Sequence, residues 1–523
     1  MWTTTSGLRG RKLRLAITLT SVIGFSLFGY DQGLMSGIIS GNQFTKEFPA
    51  LYIPPSDSPD YSASYSQHVS VLRGAVTACY ELGCFFGAIF TLCFGERIGR
   101  TRCSSWWAVS SPVLETVWTR PPSRSGSPSV SRAHNRGFLV CFEGAIIAVG
   151  TLIAYWIDFG LSYVESSVQW RFPVAFQIIF AILVSVGAFM LPESPRWFVM
   201  QGKDQEALQV LAALNDSSPD AEDVLTDFNL MKADFNAENG AKANWKTLFT
   251  FGKTQEFQRM MICCSGQFFQ QFTGCNAAIY YSTLLFEQNL NMEHRLSLIL
   301  GGVFATVYAL ATIPSFFMIE RVGRRKLFLI GFAGQGLSFV ITMGCLIAGG
   351  TGPTKGAVVG IFLFICFFAF TTLPLPWIYP PEINPLRTRT MAAAASTCTN
   401  WITNFAVVMF TPVFSDASPW GIYLFFALVN FIGLPFAWFY YPETAGRDLE
   451  EVDLIFAKAH IEKKWPYQIA NSMPKLSAEE IAAMLREVGL DHSDPRHSSE
   501  HEKAEMAMSS GNSDNEHASN EKN

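Results

Sequence analysis

Charge is what this 523-residue sequence has least of: Asp, Glu, Lys and Arg make up 15% of it, against about 25% in an average soluble domain. The shortage is uneven, because long stretches carry no charge and the charged residues gather between them. Apolar residues reach 49% and fall in runs of membrane-spanning length, which excludes a soluble enzyme built around one large core. There is no basic stripe to hold nucleic acid and no GxxxxGK phosphate loop for ATP-driven work. The 11 cysteines lie mostly inside apolar runs, as Cys79, Cys84, Cys263 and Cys345 do. With no His at ligand spacing, they read as small packing residues between helices, so neither a metal nor a cofactor is expected. No cleavable signal peptide is expected either: the first apolar run is too long and follows a basic cluster.

What is present is a series of apolar stretches of about 20 residues, the length that crosses a bilayer as a helix. Ten are readable, at roughly 14–39, 71–94, 138–157, 172–191, 258–287, 298–318, 327–348, 355–379, 391–414 and 420–440. The expected fold class is therefore an all-α polytopic membrane protein. Lys and Arg in the short connections set the orientation. Arg9, Arg11, Lys12 and Arg14 precede the first span, and Arg97 and Arg100 follow the second. Arg321, Arg324 and Arg325 follow the sixth, and Arg387 and Arg389 the eighth. By alternate counting all of these face the cytoplasm. The expected organisation is a cytoplasmic N-terminus (1–13), a first helical bundle (14–191), a cytoplasmic linker (192–257), a second bundle (258–440) and a cytoplasmic tail (441–523). A short amphipathic helix is expected at 476–488 and disorder after about 490. Residues 101–134 break the pattern, being rich in Ser, Pro and Arg without a spanning run, and read as an aberrant loop.

Two cytoplasmic ends carry a matching element. Gly95-Glu96-Arg97-Ile98-Gly99-Arg100 follows the second span and Glu320-Arg321-Val322-Gly323-Arg324-Arg325 follows the sixth. Positive-inside anchoring explains the arginines, but the repeated acid and glycine point to an internal duplication. Polar groups inside the spans are the second signal. Gln270, Gln271, Asn276 and Tyr280 share one span, and amides both donate and accept, as a hydroxyl-rich, uncharged solute requires. The plain alternative is interhelical hydrogen bonding that only holds the bundle together. Asp31, Glu81 and Glu143 are acids within spans, where ionised carboxylates are costly and mark functional candidates.

Further motifs make the pattern specific: Pro192-Glu193-Ser194-Pro195-Arg196-Trp197, Pro442-Glu443-Thr444-Ala445-Gly446-Arg447, the run Gln270-Gln271-Phe272-Thr273-Gly274-Cys275-Asn276, and Gly29-Tyr30-Asp31-Gln32-Gly33. With the two E-R-x-G-R elements, the chain resembles the sugar porter family of the major facilitator superfamily, in particular fungal sugar or glycerol–proton symporters. The resemblance implies two helical bundles and twelve helices, so that 101–134 stands where the third and fourth belong. The family pattern stops after Arg100 and resumes near Asn135-Arg136-Gly137. We read the interruption as a missed splice site or a shifted frame; a transcript encoding 101–134 as written would contradict that.

The resemblance further implies that Gln270, Gln271, Asn276, Tyr280 and Asn400 contact the solute and that Trp377 is an aromatic platform for it. It makes Asp31 the proton carrier, whose family partner, a fourth-helix arginine, has no counterpart here. Conformational charge clusters are expected at Glu96, Arg97, Arg100, Glu193, Arg196, Glu320, Arg321, Arg324, Glu382, Arg389 and Glu443. Three positions depart from the family: Gly144 replaces a common Gln, Tyr308 a common Asn, and Leu373 a common Gly. These changes lean toward a smaller polyol such as glycerol, or toward a shifted pose of the solute. The expected function is a secondary transporter that moves a sugar or polyol with a proton by alternating access, in the plasma membrane. Its partners are a small uncharged polyhydroxylated solute, the proton and the bilayer, with no nucleic acid and no enzymatic activity. The competing readings are a transporter-like nutrient sensor and a non-functional product of a faulty gene model.

Overall fold

The structure, a computed structural model, describes residues 7–39, 41–54, 62–98, 130–240, 245–290, 292–385 and 387–488. Among these residues every regular element is helical. The first bundle comprises α1 (Gly10–Ile38), α2 (Ala63–Ile98), α3 (Val130–Leu161) and α4 (Val168–Met190). Three helices follow in the linker: α5 (Pro195–Met200), α6 (Asp204–Asn215) and α7 (Glu222–Gly240). The second bundle comprises α8 (Glu256–Phe272), α9 (Cys275–Leu284), α10 (His294–Ala311), α11 (Ile313–Arg321), α12 (Arg324–Ala348), α13 (Thr351–Phe367), α14 (Leu375–Ile383), α15 (Arg389–Ala417) and α16 (Gly421–Tyr440). The helices α17 (Leu449–Glu462), α18 (Pro466–Ser472) and α19 (Ala478–Val488) close the described chain.

Among the described residues, eight segments are long and apolar enough to cross a membrane. The two remaining expected spans have a reason for missing that criterion. One is split into α8 and α9, each too short alone, at Thr273-Gly274; Gly274 has φ +94, and a Cβ there would collide with the Phe426 ring at 2.8 Å. The other, α15, carries Ser, Thr and Asn along its length. The expected break at 101–134 lies almost entirely outside the described residues, although α3 starts at Val130 rather than near 138. The linker is not a plain loop: Phe198, Val210, Leu211, Val224 and Phe228 bury one another into a small core, and α6 meets the start of α1, with Asp216 against Gly10. The stretch after 441 is likewise helical up to Val488.

The bundles meet along three lines: α1 against α9, α2 against α15, and α3 against α10. Within the first bundle α1 lies against α3 and α4. The α1–α3 approach is close enough that a Cβ on Gly29 or Gly33 would strike Ile147 O at 1.9 Å or Ala154 Cβ at 2.9 Å, as membrane helices allow where small residues face one another. These junctions bring the polar residues of separate spans together.

Candidate functional site

The two amides before the break between α8 and α9 are neighbours on one helix, whose rotation of about 100° per residue points them in different directions. Gln271 donates through Nε2 to Asn400 Oδ1 of α15 at 2.5 Å and accepts at Oε1 from Asn276 Nδ2 at 2.6 Å. Asn276 also donates to Asn404 Oδ1 at 2.6 Å. Four buried amides from α8, α9 and α15 thus form one network. Burying them without partners would be costly, so the network explains how two polar spans coexist in an apolar bundle. Each amide has two N–H donors and a two-lone-pair carbonyl, and these bonds leave capacity for hydroxyls. Asn404 was not among the expected contacts; its spacing of four from Asn400 puts both on one helical face.

Gln270 points elsewhere. Its Nε2 donates to the carbonyls of Thr372 and Leu373, at 3.0 and 2.9 Å, at the π turn between α13 and α14. Its Oε1 is buried without a hydrogen-bond partner. Gln270 therefore faces the π turn, whereas Gln271 and Asn276 meet across the turn at Gly274. Nearby, Gln335 Nε2 donates to Thr372 Oγ1 at 2.7 Å and Gln267 Nε2 to Pro376 O at 3.0 Å. Trp377 is half-buried against the aliphatic and aromatic cluster of Leu375, Ile378 and Tyr379. A second indole, Trp401, sits inside the junction beside Asn400, edge-on to Phe28 of α1 at 5.7 Å and 1% exposed. The two departures Gly144 and Leu373 face each other: a Cβ on Gly144 would lie 3.2 Å from Leu373 Cδ2. Side-chain bulk present on one bundle is matched by its absence on the other. Tyr308 is buried against Phe368, within the second bundle's core.

Acids meet the network from the other bundle. Glu81 of α2 is fully buried and accepts from the Tyr280 hydroxyl of α9 at 2.5 Å. Asn404 is also within hydrogen-bonding reach of Glu81. Tyr280 thus reaches a carboxylate across the bundle junction rather than joining the amides directly. Asp31, on α1, is buried with Oδ1 unpartnered, and its carboxyl lies within electrostatic range of Glu81. Sequence reasoning flagged Glu81 only as one of three intramembrane acids; nothing in the linear sequence pairs it with Tyr280, 199 positions away.

At the cytoplasmic end of the second bundle the charges close into a network. The Arg324 guanidinium binds Glu320 at 2.8 Å and Glu382 at 2.9 Å, and Thr444 Oγ1 donates to Glu382 at 2.6 Å. Glu443 caps the N-terminus of α12, accepting from the backbone N–H of Arg324 and Arg325 at 2.7 and 3.2 Å. This accounts for the glycine of the repeated element. Gly323 has φ +95, and a Cβ would meet Glu443 Oε2 at 2.4 Å. The start of α3 approaches the same cluster, since a Cβ on Gly137 would lie 2.4 Å from Glu320 Oε1. Arg321 is exposed, outside this knot. Arg389 turns back to the Asn384 carbonyl at 3.4 Å, and Glu193 and Arg196 flank Ser194, whose hydroxyl caps α5. Arg100, and the side chains of Glu96 and Arg97, lie outside the described residues. Sequence reasoning missed a further ion pair, in which the fully buried Arg259 binds Asp453 of α17 and stacks over Phe456 at 4.2 Å, tying the tail to the second bundle.

Two helical bundles with broken helices and polar contacts at their junction are the build of a secondary membrane transporter. The proton:xylose symporter XylE has the same fold: TM-score 0.64 at 21% identity, over 85% of this chain and 99% of that one. The family model described as "Sugar (and other) transporter" matches residues 16–111 and 129–456, with its gap inside 101–134. The chain is 61% identical to the major facilitator superfamily transporter mfsA of Aspergillus fumigatus, over 94% of this chain and 95% of the relative. It is 49% identical to the sugar transporter STL1 of Saccharomyces cerevisiae, over 91% and 87%. The chain belongs to the sugar transporter family of the major facilitator superfamily.

Proposed function

We propose that this sugar transporter carries a small, uncharged sugar or polyol together with a proton, by alternating access between its two bundles, with glycerol-sized solutes preferred over hexoses. The observation that carries the reading is the joining of Gln271, Asn276, Asn400 and Asn404 into one buried network, with the carboxyl of Glu81 beside it. Solute hydroxyls exchange for amide–amide bonds at little net enthalpic cost, because both alternatives are hydrogen-bonded. Gln270 Oε1 offers a further acceptor. Asp31 is the proton-carrying group, and the plasma membrane is the place of action. The size preference is supported by Leu373 filling the space that Gly144 leaves open, where a longer amide at 144 would require Leu373 to shrink. The relatives named as sugar and facilitator transporters support the solute class. Gln270, Gln271, Asn276, Tyr280 and Asn400 serve the solute, and the cluster of Glu320, Arg324, Glu382 and Glu443 holds one conformation at the cytoplasmic face. Uptake of labelled glycerol and labelled glucose by cells lacking their own carriers, with and without a protonophore, tests the reading. Glycerol accumulation that collapses with the protonophore is expected. Uptake of neither solute by a surface-delivered protein would contradict it.

A further inference from the structure

Asp158 is a buried carboxyl that the proposed transport cycle does not use. It lies in the last turn of α3, at the end of the bundle that the Lys and Arg bias places outside. It is 6% exposed and presses on α1, where a Cβ on Gly37 would stand 2.5 Å from its Oδ2. Neither carboxylate oxygen meets a donor at hydrogen-bond geometry; the Gly37 backbone N–H faces the carboxyl without closing a bond. The groups around it are engaged elsewhere. On α1 the Tyr30 hydroxyl donates to Pro173 O at 2.9 Å, and on α3 the Tyr155 hydroxyl meets Ser282 Oγ at 2.6 Å. On α4 Arg171 turns to Glu47 at 3.3 Å. On α10 His294 Nδ1 pairs with Glu287 at 3.2 Å, and the Arg295 guanidinium lies over the Tyr163 ring at 5.4 Å. An ionised carboxylate buried without a partner is costly, so this arrangement holds Asp158 neutral.

A cavity opens beside the carboxyl. Gly37, Asp158, Ser162 and Trp170 line it from the first bundle, and His294 and Leu298 from the second. The Trp170 indole N–H is likewise buried without a partner. Water entering the cavity therefore finds an unused donor and an unused carboxyl. One wall belongs to the opposite bundle, so parting α3 from α10 opens the cavity to the outer solution and hydrates Asp158.

We propose that Asp158 is a proton-binding site of the outer face, and that its protonation favours closure of the seam between α3 and α10. In the closed seam the carboxyl carries a proton. In the open seam water solvates the anion and the proton can leave. The closed state thus binds the proton more tightly, and by linkage external acid favours closure while external alkali favours opening. The proton comes from the outer solution and returns to it, so the site senses pH and carries nothing across. The inference rests on the alternating-access reading of the two bundles.

The test uses the full chain in proteoliposomes with a fixed internal pH and Leu298→Cys as reporter. The readout is the rate at which a membrane-impermeant thiol reagent labels that cysteine from outside, above the rate of the parent protein. Each rate is divided by that of the same reporter carrying Asp158→Asn, which cancels the ionisation of the thiol itself. Because one proton is linked to opening, this ratio is expected to rise at least about tenfold as external pH goes from about 5 to about 8. Asp158→Asn, permanently uncharged, is expected to label slowly throughout, and His294→Gln to keep the rise. A flat ratio, or a rise lost in His294→Gln, would overturn the assignment to Asp158. Should Leu298→Cys fail to fold, Ser162→Cys on the opposite wall reports the same opening. If labelling follows pH as expected but the wild type exchanges no labelled glycerol, the transport reading fails and the proton site stands.

Discussion

Helices α4 and α15 are both of spanning length, yet they use their residues in opposite ways. On α4, Ile178, Ile179, Ile182, Val186 and Phe189 are exposed, Phe189 at 71%. On α15, Ser396, Asn400, Trp401, Thr403, Asn404 and Thr411 are buried. Hydropathy therefore recognises α4 as a span and passes over α15. The difference is one of neighbour rather than of depth. A helix facing lipid must be apolar because nothing there can satisfy a polar group. One packed against polar helices of its own bundle can carry amides, because α8 and α9 supply the complementary amides. In a transporter the least membrane-like spans are thus the ones to inspect for the solute path.

That comparison can be broken at several points. The largest effect is expected where charge is most fully enclosed. Arg324→Ala strips the guanidinium from Glu320 and Glu382, and breaking such a buried pair typically costs about 3–5 kcal/mol. Thermal unfolding of the detergent-purified protein reads it as a clearly lowered midpoint. Next comes Asn276→Leu, which unpairs Gln271 Oε1 and Asn404 Oδ1. A loss of about 1–3 kcal/mol for the orphaned acceptors is expected, together with loss of glycerol uptake out of proportion to the loss of protein at the surface. The exchange Gly144→Gln with Leu373→Gly moves bulk and an amide across the junction. Pocket changes of that size alter preference by roughly 10-fold to 200-fold, so the ratio of glucose to glycerol uptake should rise by at least about tenfold. The smallest effect belongs to α4: Ile179→Val, on the lipid-facing side, should shift stability by no more than about 0.5 kcal/mol and leave uptake unchanged.

Much of this was legible along the chain. Apolar runs of spanning length located the helices, and polar residues inside them singled out Gln270, Gln271, Asn276, Tyr280 and Asp31 before any geometry. The repeated E-R-x-G-R element located Glu320 and Arg324, and the structure supplies the reason for its glycine, since Glu443 occupies the room a side chain would need. What could not be read was pairing across the bundles. Glu81 and Tyr280 meet only because α2 and α9 adjoin in space, and Asn404 joins the network through a partner on another helix. The bend at Gly274 was equally hidden, whereas Gln270 and Gln271 serve different neighbours because adjacent residues on a helix point about 100° apart. The tail's short amphipathic helix was legible and stands at Ala478–Val488, but α17 went unseen because it depends on Arg259 reaching Asp453 and Phe456, nearly two hundred residues later. An apolar-run criterion does not register a helix held by such contacts.

The central claim is that the buried amides hold the solute. Equilibrium binding of radiolabelled glycerol to the purified protein, wild type against Gln271→Leu and Asn276→Leu, tests it most directly. Saturable binding by the wild type, lost in both folded variants, is what the account predicts. Binding of equal affinity and stoichiometry in all three proteins would contradict it.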